Sequence, residues 1–268
     1  MLHDGLKVDA RLFRAETYGE LALAVESGKV DAAFLPGAST YALLKRTRLG
    51  VDVLAQAQFH GAVTYTGVLV AREGLSKRAL PSTLPSMRGE GAPAPPGGGG
   101  GQREAGALTE AMHDETAERL FGTRVAFVQL NSLSGFLAPS KWLAQHEVKL
   151  SDLGEVVFAQ THVRALTLLQ QGKVDMAATY ERVLQEAKDA DPNFNPAVLA
   201  RFEGLPNSLL VTRPGLSPER REQLLQSLTA IFTDESSQAR DALENGAAMD
   251  GLVPASVDAV REVGKWLE

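Results

Sequence analysis

The feature of this sequence that most constrains its fold is an internal repeat. Residues 15–33 align without gaps on residues 159–177, an offset of 144 positions. Both copies have a threonine near their start and the string Gly-Lys-Val-Asp near their end, at Gly28–Asp31 and Gly172–Asp175. Self-similarity of this kind indicates two copies of one supersecondary unit. We therefore predict two similar lobes; the alternative is one doubly wound domain in which the match is accidental.

Each copy has the residue pattern of a strand, a helix and a second strand. Thr17 and Thr161 are favourable helix N-caps, and Gly28 and Gly172 occupy the position of a helix C′ glycine. Apolar residues recur at helical spacing between these caps. The flanking apolar runs predict strands at 8–13, 30–35, 156–159 and 174–178. Alternating strands and helices predict an α/β fold with two mostly parallel sheets, one in each lobe.

The boundaries of the lobes follow from two β-rich segments, one after each copy. Residues 64–71 and 207–213 are predicted to be strands that cross between the lobes. Lobe one then takes residues 1–66 plus 212–268, and lobe two takes residues 71–207.

Two parts of the chain depart from this scheme. Copy two is preceded by a predicted strand and helix between residues 124 and 146, which have no counterpart before copy one. We therefore expect lobe one to be truncated, lacking its first strand and helix. Residues 77–118 contain the stretch Gly91–Gly101, which is rich in glycine and proline and cannot form a packed element. We interpret residues 77–118 as a flexible insertion in lobe two.

Composition and charge exclude several classes of function. The net charge is −6 and there is no basic block, which argues against nucleic acid as a main partner. The chain has no cysteine, so disulfides and thiolate-bound zinc are excluded, and its 5 histidines show no metal-ligand spacing. No apolar run approaches the roughly 18 residues of a membrane span. Residues 1–7 lack the apolar core of a signal peptide, so we expect no export signal in this chain.

Several short motifs give the chain a family resemblance. They are Tyr18, Ser27–Asp31, Leu120–Phe127, Asn131–Gly135, His162, Gly172–Asp175, Leu205–Ser208 and Asp250–Pro254. In this order and spacing they resemble the phosphate/phosphite/phosphonate substrate-binding proteins of ABC transporters, a branch of the type 2 periplasmic binding proteins. The likeness covers nearly the whole chain apart from residues 77–118. It implies a two-lobed fold with the ligand in the cleft between the lobes.

Two serines indicate an oxyanion site in lobe two. Ser132 and Ser134 precede a predicted helix, where hydroxyls, backbone N–H groups and the helix dipole favour an anion. Both also fit an ordinary helix cap. The resemblance implies that this loop holds the phosphorus oxygens, although Leu133 stands where the family usually has a threonine.

Tyrosine and histidine side chains add further candidates. Tyr18 and His162 occupy equivalent positions in the two copies, one residue after each cap. Each can donate a hydrogen bond to an oxyanion, and a protonated His162 would add positive charge below neutral pH. The resemblance implies ligand contacts at both positions and at Tyr65, which otherwise fits hinge packing. Ser39 and Tyr41, which follow a predicted strand of lobe one, are weaker candidates. The resemblance implies a polar or acidic contact at Glu181, which otherwise fits a surface position on a helix. Ser208 occupies the position at which aminoalkylphosphonate binders of the family carry an aspartate for the ligand's ammonium.

The function predicted from these features is binding rather than catalysis. The sequence contains no Gly-x-Ser-x-Gly, His-Glu-x-x-His or paired-carboxylate motif. The resemblance implies a monomer without cofactor or metal that delivers phosphonate, phosphite or phosphate to an ABC transporter permease in the periplasm. Two alternatives stay open: the ligand-sensing domain of a cytoplasmic regulator, and an enzyme on the same scaffold, of the menaquinone or thiamine-precursor type.

Overall fold

A computed structural model describes residues 11–48, 50–72, 75, 87–88, 120–233, 249–255 and 257–267. Contacts within the chain divide it into two compact units. The first unit comprises Met1–Tyr65 with Pro206–Glu268, and the second comprises Thr66–Leu205. The lobe boundaries predicted from the sequence stay a prediction.

Strands and helices alternate along the chain, which confirms the α/β class. The strands with described bounds are β1 (Ala32–Leu35), β2 (Asp52–Phe59), β3 (Thr64–Ala71), β4 (Met87–Arg88), β5 (Arg124–Phe127), β6 (Glu155–Phe158), β7 (Met176–Tyr180), β8 (Ala197–Pro206), β9 (Leu209–Thr212) and β10 (Met249–Pro254). The α-helices with described bounds are α1 (Tyr18–Glu26), α2 (Gly37–Arg46), α3 (Ala138–Gln145), α4 (His162–Gln170), α5 (Glu181–Ala190), α6 (Pro218–Thr233) and α7 (Val257–Leu267). A π-helical turn, Leu133–Leu137, leads directly into α3.

The first unit contains a four-stranded sheet in the order β1-β9-β2-β10. Its described strand pairs are all antiparallel, so the prediction of a mostly parallel sheet is wrong for this unit. The physical reason is the position of β9, which lies between β1 and β2 and runs against both. The strands β1 and β2 therefore point the same way but do not pair with each other.

The second unit contains a six-stranded sheet in the order β4-β8-β3-β7-β5-β6. Here β5 pairs in parallel with β6 and β7, and β4 pairs in parallel with β8. The strand β3 pairs antiparallel with β7. The carboxyl ends of β5 and β7 thus reach the same edge of the sheet, which is the edge where parallel α/β folds bind ligands.

The two copies of the repeat have matching structures. The helices α1 and α4 begin and end at positions that differ by the offset of the repeat, and so do the first residues of β1 and β7. The hydroxyls of Thr17 and Thr161 accept hydrogen bonds from the backbone N–H groups three residues on, at 3.1 and 3.2 Å. Gly28 and Gly172 have φ angles of 74° and 67°, the left-handed conformation of C′ glycines. The predicted caps are confirmed.

The aspartates that end the repeated Gly-Lys-Val-Asp string pair with arginines in both units. Asp31 accepts a hydrogen bond from Nε of Arg213 at 2.7 Å. Asp175 accepts one from Nε of Arg124 at 3.0 Å and forms an ion pair with Arg72 at 2.8 Å. Arg213 follows β9 and Arg72 follows β3, and the backbone N–H of each donates to the carbonyl of its aspartate. In each unit, the residue after one strand, β9 or β3, is thus bonded to the aspartate of the copy that lies in the same unit.

Two predicted segments differ from the structure or fall outside it. Residues 11–13 form no strand, and Leu12 is 83% exposed, so it has no sheet to cover it. Residues 8–10 lie outside the described part of the chain. So does most of the predicted insertion 77–118, in which the described residues of β4 pair with β8. In the parts that the structure describes, no helix has the length and apolar character to cross a membrane.

Candidate functional site

Two buried serines lie where β5 leads into α3. Ser132 is the N-cap of the π-helical turn, and its hydroxyl accepts a hydrogen bond from the backbone N–H of Gly135 at 3.1 Å. Ser132 and Ser134 are only 5% and 1% exposed. Ser132 therefore caps the helix, while its hydroxyl proton can still be donated to a ligand. The positive end of the helix dipole lies at this turn and favours an anion nearby.

The turn that carries Ser134 packs closely on β3 because residue 67 is a glycine. A Cβ atom at Gly67 would lie 2.9 Å from Cβ of Ser134 and 2.9 Å from Cδ1 of Leu205. Any larger side chain would have to displace one of them. Gly67 is paired with Tyr180 across β3 and β7. The close packing therefore brings the Ser134 turn next to the end of β7.

His162, the first residue of α4, packs on the same end of β7. Its ring meets the ring of Tyr180 edge-on, with centroids 4.8 Å apart and an angle of 83° between the planes. The side chain is half-buried, and its Nδ1 atom is enclosed without a hydrogen-bond partner. Ser134 therefore packs on Gly67, Gly67 pairs with Tyr180 across the two strands, and the Tyr180 ring packs on His162.

The protonation state of His162 differs from the sequence-based expectation. Burial lowers the pKa of its imidazole to about 4, because desolvation penalises the charged form. The ring is therefore neutral at pH 6 to 7 in this structure. The prediction that it adds positive charge below neutral pH is therefore wrong. The reason is that the ring packs on Tyr180 and is not solvated, as a histidine at an uncovered helix start would be.

The carboxylate of Glu181, which directly follows Tyr180, already has a cationic partner. It forms an ion pair with Nη1 of Arg201 on β8. The next residue, Arg182, donates a hydrogen bond to the Tyr180 hydroxyl at 3.4 Å and pairs with Glu186 at 3.3 Å. A ligand ammonium would have to compete with the Arg201 guanidinium for Glu181.

Three other predicted contacts lie in the first unit. Tyr18 begins α1 and is 37% exposed. Tyr65 lies in β3 and is half-buried. Ser39 lies within α2 and is buried. Tyr18 and His162 thus hold the same position in their respective copies, at the first residue of a capped helix.

The last two predicted contacts, Tyr41 and Ser208, also belong to the first unit. Tyr41 packs against α7, where a Cβ atom at Gly264 would lie 3.0 Å from its ring. Nζ of Lys45 lies 4.6 Å from the centroid of the same ring. Ser208 is half-buried between β8 and β9, and its carbonyl accepts a hydrogen bond from the N–H of Ala57 at 2.9 Å. Tyr41 therefore has a packing role in this unit.

Sequence reasoning missed three residues near the serines and His162: Thr179, Tyr180 and Arg201. Thr179 is fully buried in β7, and its hydroxyl has no hydrogen-bond partner. Both Thr179 and Tyr180 extend the predicted strand 174–178 to its carboxyl end, and a search of strand ends would have found them. No local pattern indicates the pairing of Arg201 with Glu181. In the described residues, no group of three or more metal-ligating side chains could hold a metal ion.

Comparison with known families identifies the kind of protein. The model of the family described as "ABC transporter, phosphonate, periplasmic substrate-binding protein" matches residues 1–260. The chain belongs to this family. The resemblance carried by the short motifs is thereby confirmed, and so is the class of function, a phosphonate substrate-binding protein of an ABC transporter. No curated protein sequence matches the chain significantly.

Solved structures resemble this member of the phosphonate-binding family in fold. PhnD1 from Prochlorococcus marinus in complex with methylphosphonate has a TM-score of 0.71 at 16% identity, over 99% of this chain and 87% of that chain. A binding protein component of an ABC phosphonate transporter from Pseudomonas aeruginosa has a TM-score of 0.71 at 15% identity, over 99% of this chain and 76% of that chain. A Xanthomonas citri protein bound to ATP has a TM-score of 0.70 at 13% identity, over 98% and 87%. These likenesses show the fold alone, and they confirm the two-lobed α/β fold of periplasmic binding proteins.

Proposed function

We propose that the second unit binds the anionic head of a small phosphorus oxyanion at Ser132, Ser134 and the start of the adjoining helix, with His162 beside it. The ligand is a short alkylphosphonate, phosphite or phosphate. The observation that carries the proposal is the pair of buried serine hydroxyls at the carboxyl end of β5. The carboxyl end of a parallel strand and the dipole of the helix that follows both favour an anion at such a point.

The family and one structural relative support a phosphorus oxyanion over other anions. The family is described by its phosphonate substrates, and PhnD1 from Prochlorococcus marinus holds methylphosphonate. Serine hydroxyls and a neutral histidine supply hydrogen bonds without a full positive charge. In the first unit, Tyr18, Tyr65, Ser39 and Ser208 stay predicted ligand contacts, and the packing of Tyr41 makes it the weakest of the set.

The ion pair between Glu181 and Arg201 supports a ligand without an amino group. An ammonium held away from water needs a carboxylate partner, and the absence of that partner costs several kcal/mol of binding free energy. Ser208 offers no charge, and Glu181 is already paired with the Arg201 guanidinium. We therefore expect 2-aminoethylphosphonate to bind at least roughly tenfold more weakly than methylphosphonate.

Isothermal titration calorimetry with methylphosphonate, phosphite, phosphate and 2-aminoethylphosphonate tests this proposal. In an Arg201→Ala variant the Glu181 carboxylate is released, and the affinity for the amino compound should rise roughly two- to fivefold relative to methylphosphonate. The control is Arg221→Ala, which breaks the ion pair between Arg221 and Asp52 in the first unit. It should leave the order of the four ligand affinities unchanged. Tighter binding of the amino compound by the wild-type protein would overturn the assignment.

The biological role within the proposal is delivery of the bound ion to an ABC transporter permease by a monomer outside the cytoplasm, without chemical change to the ligand. The support is the family's description as periplasmic and transport-linked. Phosphorus NMR of methylphosphonate incubated with the protein should show an unchanged resonance, and light scattering should show a monomer. A new phosphorus resonance would instead indicate an enzyme on this scaffold.

A further inference from the structure

The two nitrogens of the His162 ring lie in different surroundings. The side chain is half-buried, and Nδ1 is the nitrogen that is enclosed and has no hydrogen-bond partner. Nε2, by contrast, is not among the enclosed side-chain atoms that lack a partner. The ring itself is held by edge-on contact with Tyr180. The enclosed Nδ1 is therefore closed to a ligand, and Nε2 is the ring nitrogen that is left for one.

An N–H group at the enclosed position would have no acceptor. Buried N–H groups without partners are rarer in proteins than buried acceptors without partners, because the unpaired donor loses a hydrogen bond to water that nothing replaces. The neutral ring therefore places its single proton on Nε2. An imidazolium would need N–H groups on both nitrogens. Enclosure of Nδ1 thus disfavours both the other tautomer and the charged form, in agreement with the lowered pKa.

The surrounding charges do not favour protonation either. The titratable and charged groups on α4 and on the elements packed against it are Arg164 on α4, Tyr180 on β7, Arg124 on β5, and Glu181, Arg182, Glu186, Lys188 and Asp189 on α5. The carboxylates of this set have other partners: Glu181 pairs with Arg201, Glu186 with Arg182, and Asp189 accepts a hydrogen bond from Gln185. None of the described carboxylates pairs with the His162 ring.

We infer that His162 is held as the neutral tautomer with its proton on Nε2, and that it gives a bound phosphorus oxyanion one uncharged hydrogen bond through that nitrogen. The inference rests on the proposed function and goes beyond it in assigning the charge, the donor atom and the pH behaviour of the site. Between about pH 6 and 8, His162 then contributes no titration of its own. Any pH dependence of binding in that range comes from the ionisation of the ligand or of other groups.

Nitrogen-15 NMR of the wild-type protein, labelled in its histidines, tests the tautomer directly. The chain has 5 histidines, and the His162 signals are identified by their loss in a His162→Gln variant. From pH 6 to 8 we expect an unprotonated Nδ1 and a protonated Nε2, before and after addition of methylphosphonate. An imidazolium at pH 6, or a proton on Nδ1, would overturn the inference even if methylphosphonate binds well.

A pair of amide variants tests the donor atom. The amide nitrogen of His162→Gln reaches the place of Nε2, whereas the amide of His162→Asn reaches only the place of Nδ1. We expect the glutamine variant to bind methylphosphonate within about fivefold of wild type, and the asparagine variant to lose roughly tenfold or more. Equal losses in two folded variants would refute a specific role for Nε2. Absence of methylphosphonate binding by the wild type would refute both the donor role and the proposed function, while the NMR measurement still decides the tautomer.

Discussion

The substitution Asp175→Asn tests how the second unit is held together, with Asp31→Asn as its repeat-matched control. The Asp175 side chain is 9% exposed. Its carboxylate accepts hydrogen bonds from N, Nε and Nη2 of Arg124 at 2.9, 3.0 and 3.0 Å, and pairs with Nη2 of Arg72 at 2.8 Å. Asparagine keeps the shape but removes the charge, and it turns an NH₂ group toward guanidinium donors.

The magnitude follows from burial. Removing one partner of a buried ion pair costs about 3–5 kcal/mol, because the remaining charge is left uncompensated. Arg124 and Arg72 are 37% and 53% exposed, so water recovers part of the loss. We therefore expect the free energy of unfolding to fall by about 2–4 kcal/mol for Asp175→Asn. Asp31 is 73% exposed, so Asp31→Asn should cost about 0–1 kcal/mol.

Urea unfolding at pH 7, followed by circular dichroism, measures both values. The same experiment at lower pH adds a second criterion. The hydrogen bond from Arg124 holds the pKa of Asp175 below its ordinary value. The stabilising contribution of the carboxylate is therefore fully present above the unfolded pKa of about 3.9 and is lost as the pH falls through the lower folded pKa. The gap between wild type and Asp175→Asn should stay constant from pH 7 to about pH 5 and close only in stronger acid.

Two results would refute this reasoning. One is a loss of less than about 1 kcal/mol for Asp175→Asn, which would mean that the pair acts like an exposed one. The other is an equal loss in the two aspartate variants, which would mean that burial does not distinguish the copies.

Three further substitutions test the repeat and the packing of the serine turn. Thr161→Ala and Thr17→Ala each remove a matching N-cap bond and should each lower the free energy of unfolding by about 1 kcal/mol; unequal losses by urea unfolding would contradict equivalent caps. Gly67→Ala should cost about 1–3 kcal/mol and weaken methylphosphonate binding, because its Cβ meets Ser134 and Leu205. Gly19→Ala is the control, since its Cβ would meet only Thr17 Oγ1 at 3.8 Å and alanine favours the helix, so a comparable loss there would remove the packing explanation.

Local signals explain why much of the fold could be predicted. Thr161 and Gly172 are only 11 positions apart and define α4 by themselves, because a cap hydroxyl and a left-handed glycine act within one helix. The strand order could not be predicted in this way. The strand β9 pairs with β1 from a position more than 170 residues away, and that choice depends on packing over the whole first unit.

The candidate site shows the same division between local and long-range effects. The loop from Ser132 to Gly135 is recognisable because serines before a helix are themselves the signal. The charge of His162 and the availability of Glu181 depend on residues that meet them in the fold. Tyr180 covers His162 from 18 positions away, and Arg201 reaches Glu181 from 20 positions away on another strand. Neither contact can be predicted from the local sequence pattern.

The central claim, that the buried serine turn of the second unit binds a phosphorus oxyanion, is tested most directly by calorimetry of methylphosphonate binding to Ser134→Ala. Loss of a donor to a charged group should weaken binding by about 1–3 kcal/mol, or roughly 5- to 150-fold. The control is Ser140→Ala on the adjoining helix, whose buried hydroxyl has no hydrogen-bond partner and whose removal should leave the affinity unchanged. Wild-type affinity in a folded Ser134→Ala protein, or an equal loss in Ser140→Ala, would contradict the assignment.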